Sequence, residues 1–307
     1  MRRAVVDVGS GSVVLLVSEL QDGTWVQVGG GSWMPFLGTG TRQTGILAEG
    51  PMAATLAAIR EARGAADSLG ADEFRAAGTM ALRIARNAGE FLARAEADGN
   101  PIVVLSGERE AELGFKAVVN DPTFASHKTI TIVDPGGQST EITTATKLEA
   151  EEGGWHVRFS RSFPIGTLQL RGGPLATETP DPGEILSASA LIDDTIGINV
   201  APADVGAVVT LGAPGTDLVS MRLVITEWRP DLLHGAWLDY EDVGRAVGRL
   251  MRMTDAERAA VPGVEPARGG TIHAGCLVLE RILNSLAASG CYVSIRGWRH
   301  AWLEESE

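Results

Sequence analysis

The sequence predicts an α/β protein of two similar domains facing each other across a cleft. Three observations predict it. The chain is 307 residues long, enough for two hydrophobic cores. β-rich runs alternate with stretches of helical periodicity. One local arrangement occurs twice: a strand ending in aspartate, a glycine turn, then a second strand, at residues 4–20 and again at 130–148. Its two aspartates, Asp7 and Asp134, are 127 positions apart. The expected domains are 1–124 and 125–307, with a closing helix near 296–307 able to pack back onto the first.

The elements follow in order. Residues 4–8 and 13–20 are β-rich runs joined by GSGS, which reads as a hairpin with a glycine turn. Residues 25–28 and 33–37 are expected to extend the same sheet. Residues 51–69 begin with proline and carry apolar residues at helical spacing. A short strand at 74–77 leads into GTMALR, residues 87–97 are helical, 102–105 form a strand, and a helix starts at Glu108. The turn-rich NDPTF at 120–124 marks the expected boundary. Strands at 130–134 and 140–148 then flank PGGQS. A strand at 208–212 precedes APGT, read as another glycine turn. Residues 241–290 are mainly helical around the loop PGVEPARGG, followed by a strand at 291–295 and the closing helix.

Composition narrows the function. The formal net charge is −13, with 44% hydrophobic and 21% charged residues. That composition is globular, and its acidity disfavours a nucleic-acid or anionic-membrane binder. A small anionic ligand in a local basic pocket remains compatible. Only three of the 26 basic residues are lysines, and arginine is the better fork for phosphate oxygens. Cys276 and Cys291 have no metal-ligand spacing and suit a reducing cytoplasm. Asp7 and the glycines after it interrupt the N-terminal apolar run, so it reads as a hairpin and not a signal peptide.

Three segments carry chemistry. Gly9, Gly11, Gly136 and Gly137 follow strands that end in aspartate, where glycine lets backbone N–H groups form a nest for an anion. Ser10, Ser12, Ser139 and Thr140 add hydroxyl donors, and Asp7 and Asp134 suit a hard cation. SGEREAELGF at 106–115 puts Glu108, Glu110 and Glu112 at a helix start. Carboxylates there complement the helix dipole, and one of the three directed into the cleft would activate water. GTMALRIARN at 78–87 puts Arg83 after a strand and a turn. The histidines 127, 156, 234, 273 and 300 have no ligand spacing and read as structural or surface residues, His234 being the best exception.

VDVGSGSVVLLV, GTMALRIARNAGEFL, VVLSGEREAELGF, IVDPGGQSTEI and VTLGAPGT occur in this order. Together with LLHG, TDAERAAVPGV, IHAGCLVLERIL and VSIRGWRHAWL, they resemble the signature segments of the exopolyphosphatase/guanosine pentaphosphate phosphohydrolase family. The resemblance implies two ribonuclease-H-like domains of the actin, hexokinase and Hsp70 superfamily. It also implies Mg2+- or Mn2+-dependent removal of a terminal phosphate from inorganic polyphosphate or guanosine pentaphosphate. Glu110 matches the family's catalytic glutamate, which orients and deprotonates water. Asp7, Asp134 and Glu141 match metal positions. Gly9, Ser10, Ser12, Gly136, Gly137, Ser139, Thr140 and Arg83 match the phosphate-binding segments. The expected setting is cytoplasmic, without nucleic-acid or membrane partners, and with a homodimer as an allowed assembly.

Several positions depart from the family pattern. Gly11 stands for an asparagine, Met80 and Ile84 for polar groups, Gln138 for a glycine, and Gly270 for an acid, while Pro214 removes a backbone donor. Gln138, Pro214 and Gly270 motivate an alternative reading, a non-catalytic or weakly active regulatory protein that binds guanosine polyphosphates or polyphosphate. Arg296 and Arg299 are the sequence's candidates for an arginine strip along a polyanion.

Overall fold

The computed structural model describes residues 1–149, 154–197 and 204–305. Residues 306–307 of the expected second domain and closing helix lie outside them. The chain divides into two compact units, Met1–Leu113 with Trp298–Glu307, and Gly114–Gly297.

The first unit contains β1 (Arg2–Val8), β2 (Val13–Gln21), β3 (Thr24–Trp33), β4 (Glu73–Gly78) and β5 (Ile102–Val104), in the sheet order β3-β2-β1-β4-β5. The first three strands form an antiparallel meander, and β4 and β5 continue parallel to β1. Parallel neighbours need crossover connections, and helices Glu49–Ser68 and Ala88–Ala97 supply them. Met52, Leu56, Ile59, Ala62 and Ala66 give the first of these an apolar stripe, which joins a core with Ala4, Val6 and Val8 of β1. The Met, Leu, Ile and Val side chains among them each contribute about 1.5–3 kcal/mol on burial.

Strand alternation then puts Arg3, Val5 and Asp7 on the opposite face of β1. The closing helix Trp298–Glu304 packs against β1 and β2. Arg3 Nη1 donates to Leu303 O at 2.8 Å and to Glu305 O at 3.0 Å, placing a cation on the helix's last carbonyls.

The second unit contains β6 (Thr129–Pro135), β7 (Thr140–Lys147), β8 (Trp155–Phe163), β9 (Ala207–Thr210), β10 (Trp237–Asp239) and β11 (Gly290–Val293). Their order is β10-β11-β9-β6-β7-β8. Again the first three are an antiparallel meander, followed by two parallel strands, with β10 added as an antiparallel edge. With the edge strand β10 set aside, both sheets therefore have the strand order 3-2-1-4-5, the ribonuclease-H-like arrangement. Val133 faces the larger core, built with helices Pro182–Ile196, Gly212–Leu223, Tyr240–Leu250 and Ile272–Ser285. Ile130 and Ile132 face a smaller cluster with Val118, Phe124, Val209 and Leu211. Asp134 shares the face of Ile130 and Ile132.

Two expectations are corrected. Residues 25–28 and 33–37 are not two strands: β3 runs unbroken from 24 to 33, and 34–37 lie outside it. Gly29–Gly31 pair with Val17–Leu15 instead of breaking the strand, and a Cβ on Gly30 would lie 2.6 Å from Leu15 O. APGT is not a turn but the start of helix Gly212–Leu223. Pro214 is tolerated there because first-turn N–H groups have no intrahelical partner.

Candidate functional site

In the first unit, Asp7, Ala77 and Val103 are in register on β1, β4 and β5. The loops leaving these three parallel strands therefore start at one edge of the sheet, where open α/β sheets gather ligands. The β1–β2 hairpin closes with Gly9 N donating to Ser12 O at 2.9 Å. Gly38 N donates to Ser10 O at 2.8 Å and Phe36 N to Gly11 O at 3.0 Å, pinning the loop from the chain after β3.

Helix Met80–Ile84 follows β4 and carries Arg83, while helix Gly107–Val119 follows β5 and carries Glu110. Ser106 Oγ accepts from Arg109 N at 3.1 Å and caps the second helix. Of the three glutamates left open by the sequence, Glu108 and Glu112 are exposed and Glu110 is buried. Arg83 Nη1 donates to Glu110 Oε2 at 2.9 Å and to Leu105 O at 2.8 Å. Among the described residues its Nη2 meets only the weak acceptor Met80 Sδ, 3.6 Å away.

Asp7 is held by a residue 292 positions later: Arg299 Nη1 donates to Asp7 Oδ2 at 2.9 Å. Burial pushes the Asp7 carboxyl above its usual range, and Arg299 and Trp298 pull it down without overcoming that. Asp7 Oδ1 is buried and has no hydrogen-bond partner among the described residues.

In the second unit, Asp134 lies directly opposite Glu141, and Glu141 opposite Ser162. Ser162 Oγ donates to Glu141 Oε1 at 2.6 Å. Gly136 N donates to Ser139 O at 2.8 Å, closing this hairpin as Gly9 closes the first. The carbonyls of Gly136 and Gly137 accept from Thr167 N at 3.1 Å and Leu168 N at 2.7 Å. The Thr140 hydroxyl donates to Ile165 O at 2.8 Å, so its proton holds the backbone. Gly212 has φ +73, and a Cβ there would lie 3.1 Å from Asp134 Oδ1. Ser162, Gly212 and the Leu105 carbonyl were not signalled by sequence, and Arg299 was read there only as part of a polyanion strip.

The donor chemistry suits a hard divalent cation. Mg2+ takes one or two carboxylates and fills its remaining positions with water and phosphate oxygens. Asp7 offers a buried carboxylate oxygen without a partner, and Asp134 and Glu141 are two carboxylates at one cross-strand position. Among the described residues no group of three or more His, Cys, Asp or Glu side chains is assembled to hold a metal.

The departures from the family pattern have local explanations. The bulk of Gln138 is buried, only 2% exposed, and does not project from the loop. A Cβ on Gly270 would lie 3.3 Å from Asp255 Oδ2, so the carboxylate of Asp255 already occupies that space. Asp255 is bonded by Arg171 Nη2 at 2.9 Å and by the fully buried Arg258. His234 is a structural tie. Its Nε2 lies 3.0 Å from Thr123 Oγ1 and 3.2 Å from Asp121 Oδ2, and its Nδ1 accepts from Ile295 N at 3.4 Å. Burial pushes Asp121 up, but contacts from His234 and Thr123 hold its carboxyl well below the usual range.

A family model described as the Ppx/GppA phosphatase family matches residues 36–307. Exopolyphosphatase 2 of Mycobacterium tuberculosis is 27% identical over 298 residues, covering 93% of this chain and 91% of that relative. The crystal structure of the Aquifex aeolicus member of the Ppx/GppA family is similar at a TM-score of 0.79 and 26% identity, covering 99% of this chain and 96% of that one. An exopolyphosphatase from Cytophaga hutchinsonii, 18% identical, shares the fold at a TM-score of 0.85 over 98% of this chain and 96% of its own.

Proposed function

Because this chain belongs to the Ppx/GppA phosphatase family, we propose that it is a Mg2+- or Mn2+-dependent phosphohydrolase acting on the terminal phosphate of inorganic polyphosphate or guanosine pentaphosphate. The observation that carries this reading is the pairing of half-buried Arg83 with buried Glu110 at the edge where β1, β4 and β5 end. Phosphoryl transfer needs a positioned nucleophile and neutralised charge. Glu110 is the general base: Oε2 is oriented by Arg83, and the carboxylate takes the proton of the attacking water. Arg83 has Nη2 to offer a phosphate oxygen, since its Nη1 is engaged by Glu110 and Leu105.

Gly9, Ser10 and Ser12 in the first unit, and Gly136, Gly137, Ser139 and Thr140 in the second, are assigned to phosphate binding, with Thr140 contributing its backbone. Asp7 in the first unit, and Asp134 and Glu141 in the second, are assigned to divalent-cation binding, which would supply charge neutralisation. The two C-terminal arginines do not form a spare cationic strip. Arg296 Nε is 3.5 Å from Asp121 Oδ2, and Arg299 pairs with Asp7. That favours a short phosphate chain or a nucleotide over long polyphosphate.

The test is a phosphate-release panel on purified protein with long polyphosphate, tripolyphosphate, guanosine pentaphosphate and ATP, each with Mg2+ and Mn2+. Release from at least one of the first three is expected, with loss in Glu110→Gln. Binding without release across the panel would replace the hydrolase with the regulatory-binder reading.

A further inference from the structure

Two positions where this chain departs from its family stand on either side of Arg83, and both carry apolar side chains: Met80 and Ile84. Met80 opens the five-residue helix Met80–Ile84 and lies about one turn before Arg83. Residues three apart on a helix share a face, so the thioether and the guanidinium meet. The two branches of that guanidinium are held differently. Nη1 is fixed by two oxygens, Glu110 Oε2 at 2.9 Å and the Leu105 carbonyl at 2.8 Å. Nη2 donates to Met80 Sδ at 3.6 Å. A thioether sulfur is a weak acceptor. It guides the branch but does not compete with an oxyanion, whose charge-assisted hydrogen bonds are the strong ones. Solvent reaches this pair: the Arg83 side chain is 17% exposed, and Met80 is half-buried.

We propose that Met80 is a positioning residue for the ligand: its sulfur orients Arg83 Nη2 without capturing it, so that this branch exchanges to a phosphate oxygen when ligand binds. This deepens the phosphohydrolase reading and rests on its assignment of Arg83 to phosphate binding. An oxygen acceptor at the same place would be a stronger partner and would hold Nη2 in the unliganded protein. Affinity would then fall, because a phosphate oxygen would first have to displace that partner. Nη1 is untouched by this exchange, so Glu110 keeps its orientation. The effect therefore falls on binding and not on the chemical step.

The experiment compares wild type, Met80→Gln and Met80→Leu on the full chain. It measures tripolyphosphate binding by calorimetry with Mg2+ present, phosphate release by the same preparations, and the thermal midpoint of each. Methionine, glutamine and leucine have similar helix propensities, so the short helix is kept. Glutamine brings an amide oxygen to Nη2, and leucine brings no acceptor. Met80→Gln is expected to lose about tenfold in affinity, at a midpoint equal to or above wild type, because a charged donor has gained a competing partner. Met80→Leu should lose less, about twofold, because only a weak guide is removed. Where the wild type turns over substrate, Met80→Gln should raise KM with little change in kcat. Met80→Gln that binds as tightly as Met80→Leu overturns the proposal. So does affinity lost together with a lowered midpoint, which is the result of damaged packing, or a wild type that does not bind tripolyphosphate. A wild type that binds but releases no phosphate, with the expected order of affinities, upholds this role and defeats the hydrolase reading alone.

Discussion

The two glycine hairpins are the same backbone device with a different residue facing the aspartate across the strand pair. Gly9 N bonds Ser12 O, and Gly136 N bonds Ser139 O; Val8 pairs with Val13, and Pro135 with Thr140. Every one of these positions is offset by the same 127 residues as Asp7 and Asp134. The cross-strand partner differs. Asp7 lies opposite Val14, whereas Asp134 lies opposite Glu141. In the first unit a cation from the chain, Arg299, balances the aspartate. In the second, two carboxylates share one position, and Ser162 donates to one of them. Backbone geometry alone therefore does not define a phosphate or metal site. The residue across the strand pair sets how many carboxylates the turn presents, one in the first unit and two in the second.

Glu110→Gln should have the largest effect, because Gln still accepts from Arg83 but cannot take a proton. Turnover is expected to fall about 10²–10⁴-fold with ligand affinity retained. Steady-state rates beside calorimetry check it, and unchanged turnover removes Glu110 from its role and with it the functional priority of the first unit. Next is Arg83→Met, which removes the charged hydrogen bond from Arg83 to the buried Glu110 and should cost about 1.5–3 kcal/mol in urea unfolding. The double variant Arg83→Met with Glu110→Gln should recover part of that loss.

The hairpins themselves can be ranked by alanine substitution. A Cβ on Gly136 would lie 2.8 Å from Ser139 O, one on Gly9 3.1 Å from Ser12 O, and one on Gly11 meets nothing within 4 Å. Gly136→Ala should cost about 1–3 kcal/mol, and Gly9→Ala less. Gly11→Ala should stay within about 0.5 kcal/mol. Equal costs at Gly136 and Gly11 would break the claim that close backbone contact fixes the second hairpin.

The last prediction concerns pH. Each unit buries an acid beside an arginine, Asp7 with Arg299 and Asp217 with Arg268. Burial pushes Asp217 up to about 6, above its unfolded value of 3.8, despite Arg268. The folded protein then binds this proton more tightly than the unfolded chain. Its contribution is complete below 3.8 and is lost as pH rises through about 6. The stability of wild type relative to Asp217→Asn should accordingly decline between pH 4 and pH 6.5, as read by chemical denaturation at each end. A rise over that interval would show that Arg268 dominates.

Much of the first sheet was legible because its strands are apolar and its turns carry glycine. The 127-residue echo was legible because both hairpins keep aspartate, glycine and serine in place. β8 was not, since WHVRFSRSF is an edge strand with polar and charged residues along its exposed side. Helix Pro182–Ile196 went unread although Asp181 and Glu184 form a capping box. Gly212 and Pro214 look like breakers, yet they occupy the first turn of a helix. For the site, spacing offered three glutamates, and only burial beside Arg83 singled out Glu110. Ser162 needed the register of β7 against β8, including its irregularity at Thr144/Ala145. The Asp7–Arg299 bond spans nearly the whole chain, and no local pattern encodes it.

That last bond also sets a timetable for biosynthesis. At roughly 5–20 residues per second, the ribosome makes Arg299 some 15–60 s after Asp7. The second unit is one uninterrupted stretch, Gly114–Gly297, whose segments are all made before that moment. The first unit begins earlier and is completed later, because Trp298–Glu307 belongs to it. Until then Asp7 has neither its arginine nor the helix that shields it. A nascent chain can therefore finish its second unit before its first, and the first hairpin acquires its counter-charge only after the whole second unit has been made.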